Sequence, residues 1–257
     1  MSTELERVSP ERLDIQYPIE NLYENLDSEF LNVYKNIPLE KDYEKPPVIL
    51  LSGLSGSGKD TVLKPLVQEG LLSHVVTATT RARRVENGEP ESAYVWMREQ
   101  REDEDENIYH KALIKEYELI EHSFHYGNFY GLPLFSIKRD MSSIPVVRTD
   151  INGVNSLRKI LPEYGFRTIS VGVLATSWQE CYESILNRDC EKEHQARERI
   201  IEDFYNTEKY LNNINYFIVN SREPLGSGIT GLDISISGLR NIVRRYGTLE
   251  GAHEIDL

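Results

Sequence analysis

Cysteine is almost missing from this chain. Cys181 and Cys190 are the only two in 257 residues. They form no CxxC pair and join no Cys/His array, so a disulfide framework and a zinc-ribbon type of site are excluded. Long apolar runs are missing too. None approaches the roughly 18 residues that a membrane-spanning helix needs, and no membrane partner is expected. The opening residues, MSTELERVSPERLD, lack the basic-then-apolar profile of a secretory leader, so a cytoplasmic protein is the expectation. Basic charge is the third shortage. Lys and Arg number 29 against 42 Asp and Glu, a formal net charge of −13, which argues against a nucleic-acid partner bound through a basic face. It does not argue against a site that gathers a few cations in one cleft.

The composition that remains, 39% hydrophobic and 28% charged, is that of a soluble domain able to bury a core of its own. Three segments are expected: an acidic, weakly apolar extension over 1–45, a main domain over 46–245, and a polar tail over 246–257. Within the extension, Ile19–Tyr34 carries apolar residues at a spacing near 3.6, which predicts an amphipathic helix. Pro46 and Pro47 break any helix, and Val48–Leu51 then reads as a short buried strand. Further strands are expected at Val75–Thr77, Val146–Val147, Thr168–Leu174 and Tyr216–Val219. Helices are expected at Asp60–Glu69, Ile108–Tyr117, Gly153–Ile160, Trp178–Asn187 and, as one long element, Gln195–Leu211. Strands alternating with helices imply an α/β fold with a parallel sheet covered on both faces. REQREDEDEN, Arg98–Asn107, reads as a solvated acidic loop.

The string GLSGSGKDT, Gly53–Thr61, follows the strand VILLS and precedes a helical stretch. This is the arrangement a phosphate cradle needs. Glycines let the backbone curl so that successive N–H groups point inward, and the new helix adds its positive end. Lys59 would reach the β- and γ-phosphates. The P-loop pattern places Ser or Thr after the lysine, on Mg²⁺. Here Asp60 stands there, with Thr61 next. A carboxylate can ligate Mg²⁺, but its charge also repels phosphate. Pro65, several residues into the helix, removes a bond to the Thr61 carbonyl and predicts a kink or a short first segment.

From this point the chain resembles the guanylate kinase family, over about Pro47 to Leu239, through four motifs in order. VTATTRARR, Val76–Arg84, runs on to GEPESAY, ending at Tyr94. ELIEHSFHYGNFYG spans Glu118–Gly131, VVRTDINGV spans Val146–Val154, and the fourth motif runs from Ser177 to Arg199. The resemblance implies a P-loop NTPase-type sheet with two mobile parts, an acceptor-nucleotide part over 79–132 and a lid over 181–199. It implies ATP and GMP as partners, Mg²⁺ with the ATP, and transfer of a phosphoryl group between them.

By matched position, Gly53, Ser55, Gly56, Ser57, Gly58, Lys59, Asp60, Thr61 and Asn220 would bind ATP. Asp60 is also the candidate metal ligand. Thr77, Arg81, Arg84, Tyr94, Glu121, Tyr130 and Asp150 would bind GMP. The guanidinium forks and O–H donors suit a phosphate dianion, while the Glu121 carboxylate offers two acceptors to the adjacent N1–H and 2-amino donors of guanine. Lys59, Arg188 and Arg199 would be catalytic, the two arginines closing over the transferring phosphate. His110, His122 and His125 have no convincing ligand spacing and read as surface or packing residues.

Four positions depart from the family pattern. Leu132 replaces a hydroxyl residue, Ser184 an arginine, Arg148 an aspartate and Asp60 a Ser or Thr. The last two changes are opposite in charge, and the expectation is that Asp60 and Arg148 pair across the cradle and exchange roles. Two other readings stay open: a kinase of the same fold with a different phosphorylated acceptor, and a silent module that binds a nucleotide or a protein.

Overall fold

A computed structural model of the chain describes residues 33–35, 45–83, 85–125, 127–137, 143–189, 193–221 and 229–246. In chain order the elements are β1 (Val33–Lys35), β2 (Pro47–Gly53), α1 (Lys59–Gln68), β3 (Leu72–His74), β4 (Ala78–Thr79), β5 (Val95–Trp96), α2 (Glu106–Glu116), β6 (Leu119–His125) and β7 (Asn128–Pro133). There follow β8 (Ile144–Arg148), α3 (Ile151–Ile160), β9 (Arg167–Leu174), α4 (Trp178–Asp189), α5 (Glu193–Tyr205), α6 (Thr207–Asn213), β10 (Tyr216–Val219) and α7 (Gly231–Tyr246).

The main sheet has the order β1-β10-β9-β2-β8-β3. Its strands are parallel except β1, which lies antiparallel on β10. All of β2 is buried, because helices cover both faces. Val48 and Leu50 point to one side, into a cluster with Val154 and Leu157 of α3, Ile185 of α4 and Ile200 of α5. Ile49 and Leu51 point to the other, against Val62 and Leu66 of α1 and Leu239 and Ile242 of α7. A second sheet, β5-β4-β7-β6, packs with α2 around Ala78, Met97, Tyr109, Leu113 and Phe129. It builds the part of the chain expected to take the acceptor.

The α/β sheet agrees with the sequence reading, and several details correct it. The end of the Ile19–Tyr34 stretch is strand, not helix: Val33 and Tyr34 pair with Ile218 and Phe217 and cover an edge that β10 would otherwise leave unpaired. Residues 19–32 lie outside the described residues, as does nearly all of the 1–45 extension and the 247–257 tail. The strand expected at Val75–Thr77 falls three residues earlier, at β3. Val75 N–H still donates to Val146 O at 2.9 Å, after which the chain crosses to the second sheet. The long helix expected over Gln195–Leu211 is two, parted at Asn206, which precedes α6 with φ of −90° and ψ of −2°. α1 runs its full ten residues through Pro65, so no short first segment forms. The acidic loop is partly built into the fold. Arg98 forks onto Glu104 with two bonds of 2.8 Å, and Asp105 caps α2 through Asn107 N–H and Ile108 N–H.

Candidate active site

The loop from Gly53 to Lys59 leaves the carboxyl end of β2, the edge of an open α/β sheet where ligands collect. Gly56 and Gly58 hold φ of +76° and +86°, values that side chains rarely tolerate. A Cβ on Gly56 would also lie 2.2 Å from the Cys181 carbonyl oxygen of α4. Lys59 Nζ donates to Gly53 O and Leu54 O, both at 2.8 Å, so its ammonium is tethered across the mouth of the loop. From beneath, buried Asn220 donates from Nδ2 to Ser57 O at 2.9 Å. Asn220 therefore supports the loop from beneath. Replacing Gly56 by Ala is expected to cost about 1–3 kcal/mol of stability and to weaken ATP binding about tenfold or more. Urea unfolding and direct nucleotide titration check both.

A cleft of about 450 Å³ opens beside this loop. Of the expected residues, Gly53, Ser55, Lys59, Asp60, Thr77, Tyr94, Glu121, Tyr130, Asp150 and Arg199 all line it. Donor loop, acceptor sheet and one lid cation thus share a single space. Gly56, Ser57, Gly58 and Asn220 shape the loop from outside it, and Thr61 is exposed. Arg81 is not on its wall. Its guanidinium donates to Glu89 at 2.5 Å and lies 5.3 Å from the Tyr94 ring, and the Glu89 partner raises its pKa. Arg84 and the Arg188 side chain lie outside the described residues.

The cleft is not a simple positive well. Lys59, Arg148 and Arg199 share it with Asp60, Glu121, Asp150, Glu202 and Asp203, and most of these acids have assigned work. Asp150 caps α3 by accepting from Gly153 N–H at 2.7 Å. Asp60 Oδ1 accepts from Arg148 at 2.6 Å, the pairing expected from the two opposite charge changes. With side chains 49% and 35% exposed, that pair contributes on the order of 0–1 kcal/mol to stability. Its effect is on orientation. Arg148 Nε also donates to His74 Nε2 at 2.8 Å. Burial, reinforced by the Arg148 charge, pulls the His74 imidazole down to about 4, so at neutral pH it is uncharged and able to accept.

Asp60 gives its Oδ1 to Arg148, so a Mg²⁺ ion held there would share this carboxylate with a protein cation. Among the described residues no group of three or more His, Cys, Asp or Glu could hold a metal ion.

Sequence reasoning missed several lining residues. Asp203 accepts from the Ser55 N–H at 2.5 Å. Burial pushes its carboxyl up, opposed by the Ser55 amide and Lys59. Its signal was available, since it sits four residues after Arg199 and therefore on the same face of α5. Tyr210 of α6 donates to Gly53 O at 3.2 Å. Ser123, two residues along β6 from Glu121 and on the same face, brings a hydroxyl into the cleft, where Leu132 brings none. His110 and His122 pack on Phe129, at 4.7 and 5.4 Å between ring centroids, in keeping with a packing role.

A glycine-rich loop between a sheet strand and a helix, with its lysine tethered over the cradle, defines the class: a P-loop α/β protein. A family model for guanylate kinase matches residues 44–223, and the chain belongs to the guanylate kinase family. The guanylate kinase of Clostridium acetobutylicum is 30% identical over 179 residues, covering 69% of this chain and 79% of that one. Guanylate kinase 2, chloroplastic/mitochondrial, of Oryza sativa subsp. japonica is 28% identical over 213 residues, 82% of this chain and 70% of its own length. The crystal structure of guanylate kinase from Anaplasma phagocytophilum shares the fold, with a TM-score of 0.53 at 20% identity over 80% of this chain and 88% of that one.

Proposed function

We propose that the chain transfers the γ-phosphoryl group of ATP to GMP, giving ADP and GDP. A phosphate oxygen of GMP attacks the γ-phosphorus. The bond from that phosphorus to the β–γ bridging oxygen breaks, and its electron pair leaves with ADP. No covalent enzyme intermediate is needed, so catalysis is positioning plus charge stabilisation. Lys59 and the loop amides hold the donor phosphates. Tyr94 and Tyr130 hold the acceptor phosphate, with Arg81 and Arg84 closing onto it. Glu121 reads the base, aided by Asp150, and Arg188 and Arg199 complete the cage as the 181–199 lid closes over the 79–132 part. Mg²⁺ enters as the counter-ion that ATP carries on its own phosphates, with no described side chain assigned to it.

One observation carries this reading: the tethered ammonium of Lys59 and the carboxylate of Glu121 face the same cleft from opposite bodies. It is tested by following ADP release from ATP with GMP, dGMP, AMP, CMP and UMP in turn. GMP-dependent release is expected, and Glu121→Gln should lower kcat/KM for GMP by about 100-fold while leaving ATP binding intact. Preference for another acceptor would favour the same chemistry on a different monophosphate, the reading that Leu132 supports. A silent binding module is favoured by Asp203, whose carboxylate takes up a loop amide that a phosphate would use. ATP binding without release in any of the five assays would select it.

A further inference from the structure

Resting on the donor site just proposed, we infer that Arg148 is a catalytic residue whose guanidinium contacts the γ-phosphoryl group of ATP, and that Asp60 and His74 are the residues that position it.

Arg148 ends β8 and stands beside Leu51 of β2 in the sheet register, two residues before the loop begins at Gly53. Its backbone neighbour Thr149 donates to Leu51 O at 3.2 Å, so the end of β8 is stitched to the strand that feeds the cradle. The side chain crosses to Asp60, the residue immediately after Lys59, and lines the cleft that Lys59 shares with Glu121 and Tyr130 of the second sheet.

A guanidinium has five N–H donors in a fixed plane. Here one edge is set by Nε donating to His74 Nε2 at 2.8 Å and a second by NH1 donating to Asp60 Oδ1 at 2.6 Å. Among the described residues no protein acceptor takes the remaining NH2 group, and Arg148 lines the cleft. Two acceptors on two edges leave the plane no rotation, so the third edge is presented in one direction. Such fixed donors are effective in phosphoryl transfer, because charge on the equatorial oxygens is met without reorganisation. A neutral imidazole suits the Nε edge, since it accepts without cancelling the guanidinium charge. A second carboxylate there would cancel it.

The test reads binding as well as turnover. ATP and ADP affinities of the full chain are measured directly for the wild type, Arg148→Gln, Arg148→Lys and His74→Leu. A γ-phosphate contact predicts that Arg148→Gln weakens ATP by about 20-fold and leaves ADP within about twofold, the retained ADP affinity also reporting an intact fold. In turnover, kcat falls about 100-fold with the KM for GMP within about threefold. Arg148→Lys recovers only part, since a point charge does not reproduce the planar fork. For His74→Leu, kcat falls about tenfold while His74→Gln, which keeps an acceptor, stays nearer the wild type. A purely structural histidine would not show that split. Equal losses of ATP and ADP affinity in Arg148→Gln, or no loss of either, would overturn the inference while leaving the proposed function standing. Absence of ATP binding by the wild type overturns both.

Discussion

Lys59→Ala is expected to lower kcat/KM for ATP-dependent turnover by about 10³-fold or more. The ammonium is bonded to Gly53 O and Leu54 O, so it is held in place before any nucleotide arrives. The ordering cost of a long flexible side chain is then met on folding and not on binding. Truncation removes a positive charge from a cradle that also contains Asp60 and Asp203, and the phosphates then meet acids with less to offset them. The loop itself should persist, since the glycine conformations and the Asn220 support beneath Ser57 do not depend on the lysine. Urea unfolding close to wild type, with turnover lost, is the expected pair of results. A variant that keeps more than about a tenth of wild-type turnover would remove Lys59 from the mechanism.

Arg199→Ala is expected to lower kcat by about 10³-fold with both KM values within about threefold. Arg199 reaches the cleft from α5, the second of the two helices that the proposed 181–199 lid draws on. A cation delivered by a moving element contributes most in the transition state, which is why the loss should fall on kcat. Arg199→Lys should regain only a fraction of it, because a bidentate fork suits phosphoryl oxygens better than a point charge. Asp203, one turn further on, accepts from the Ser55 amide. The helix that brings the cation therefore also places a carboxyl group on the donor loop. Steady-state kinetics with each nucleotide varied in turn measures the split, and a loss confined to KM would recast Arg199 as a binding residue.

Much of the site was legible in the chain because it depends on local rules. The strand–loop–helix order around Lys59 follows from an apolar run, glycines at positive φ and a helix start, all close together in sequence. Asp60 and Arg148 could be paired from sequence because two changes of opposite sign fell in motifs whose spatial relation the fold class fixes. Other features depend on contacts distant in sequence and left no local signal. β1 forms because β10 has an open edge, which the spacing of Ile19–Tyr34 does not reveal. Two of the four strands of the second sheet, β4 and β5, have two residues each, too short to show alternation. His74 was hidden by a three-residue misplacement of its strand: read as a loop residue it has no reason to meet Arg148, whereas at the end of β3 it faces β8 directly. Arg81 shows the reverse case. Its sequence position suits an acceptor phosphate, yet its guanidinium is bonded to Glu89, eight residues on, and stands behind the cleft-lining Tyr94.

The claim on which the rest depends is direct transfer between two nucleotides bound at once. ATP labelled on its γ-phosphate, incubated with GMP and the full chain, tests it most directly. Direct transfer predicts label in GDP, in proportion to ADP formed and dependent on Lys59. Label that appears only as inorganic phosphate, or stays wholly in ATP, would contradict it.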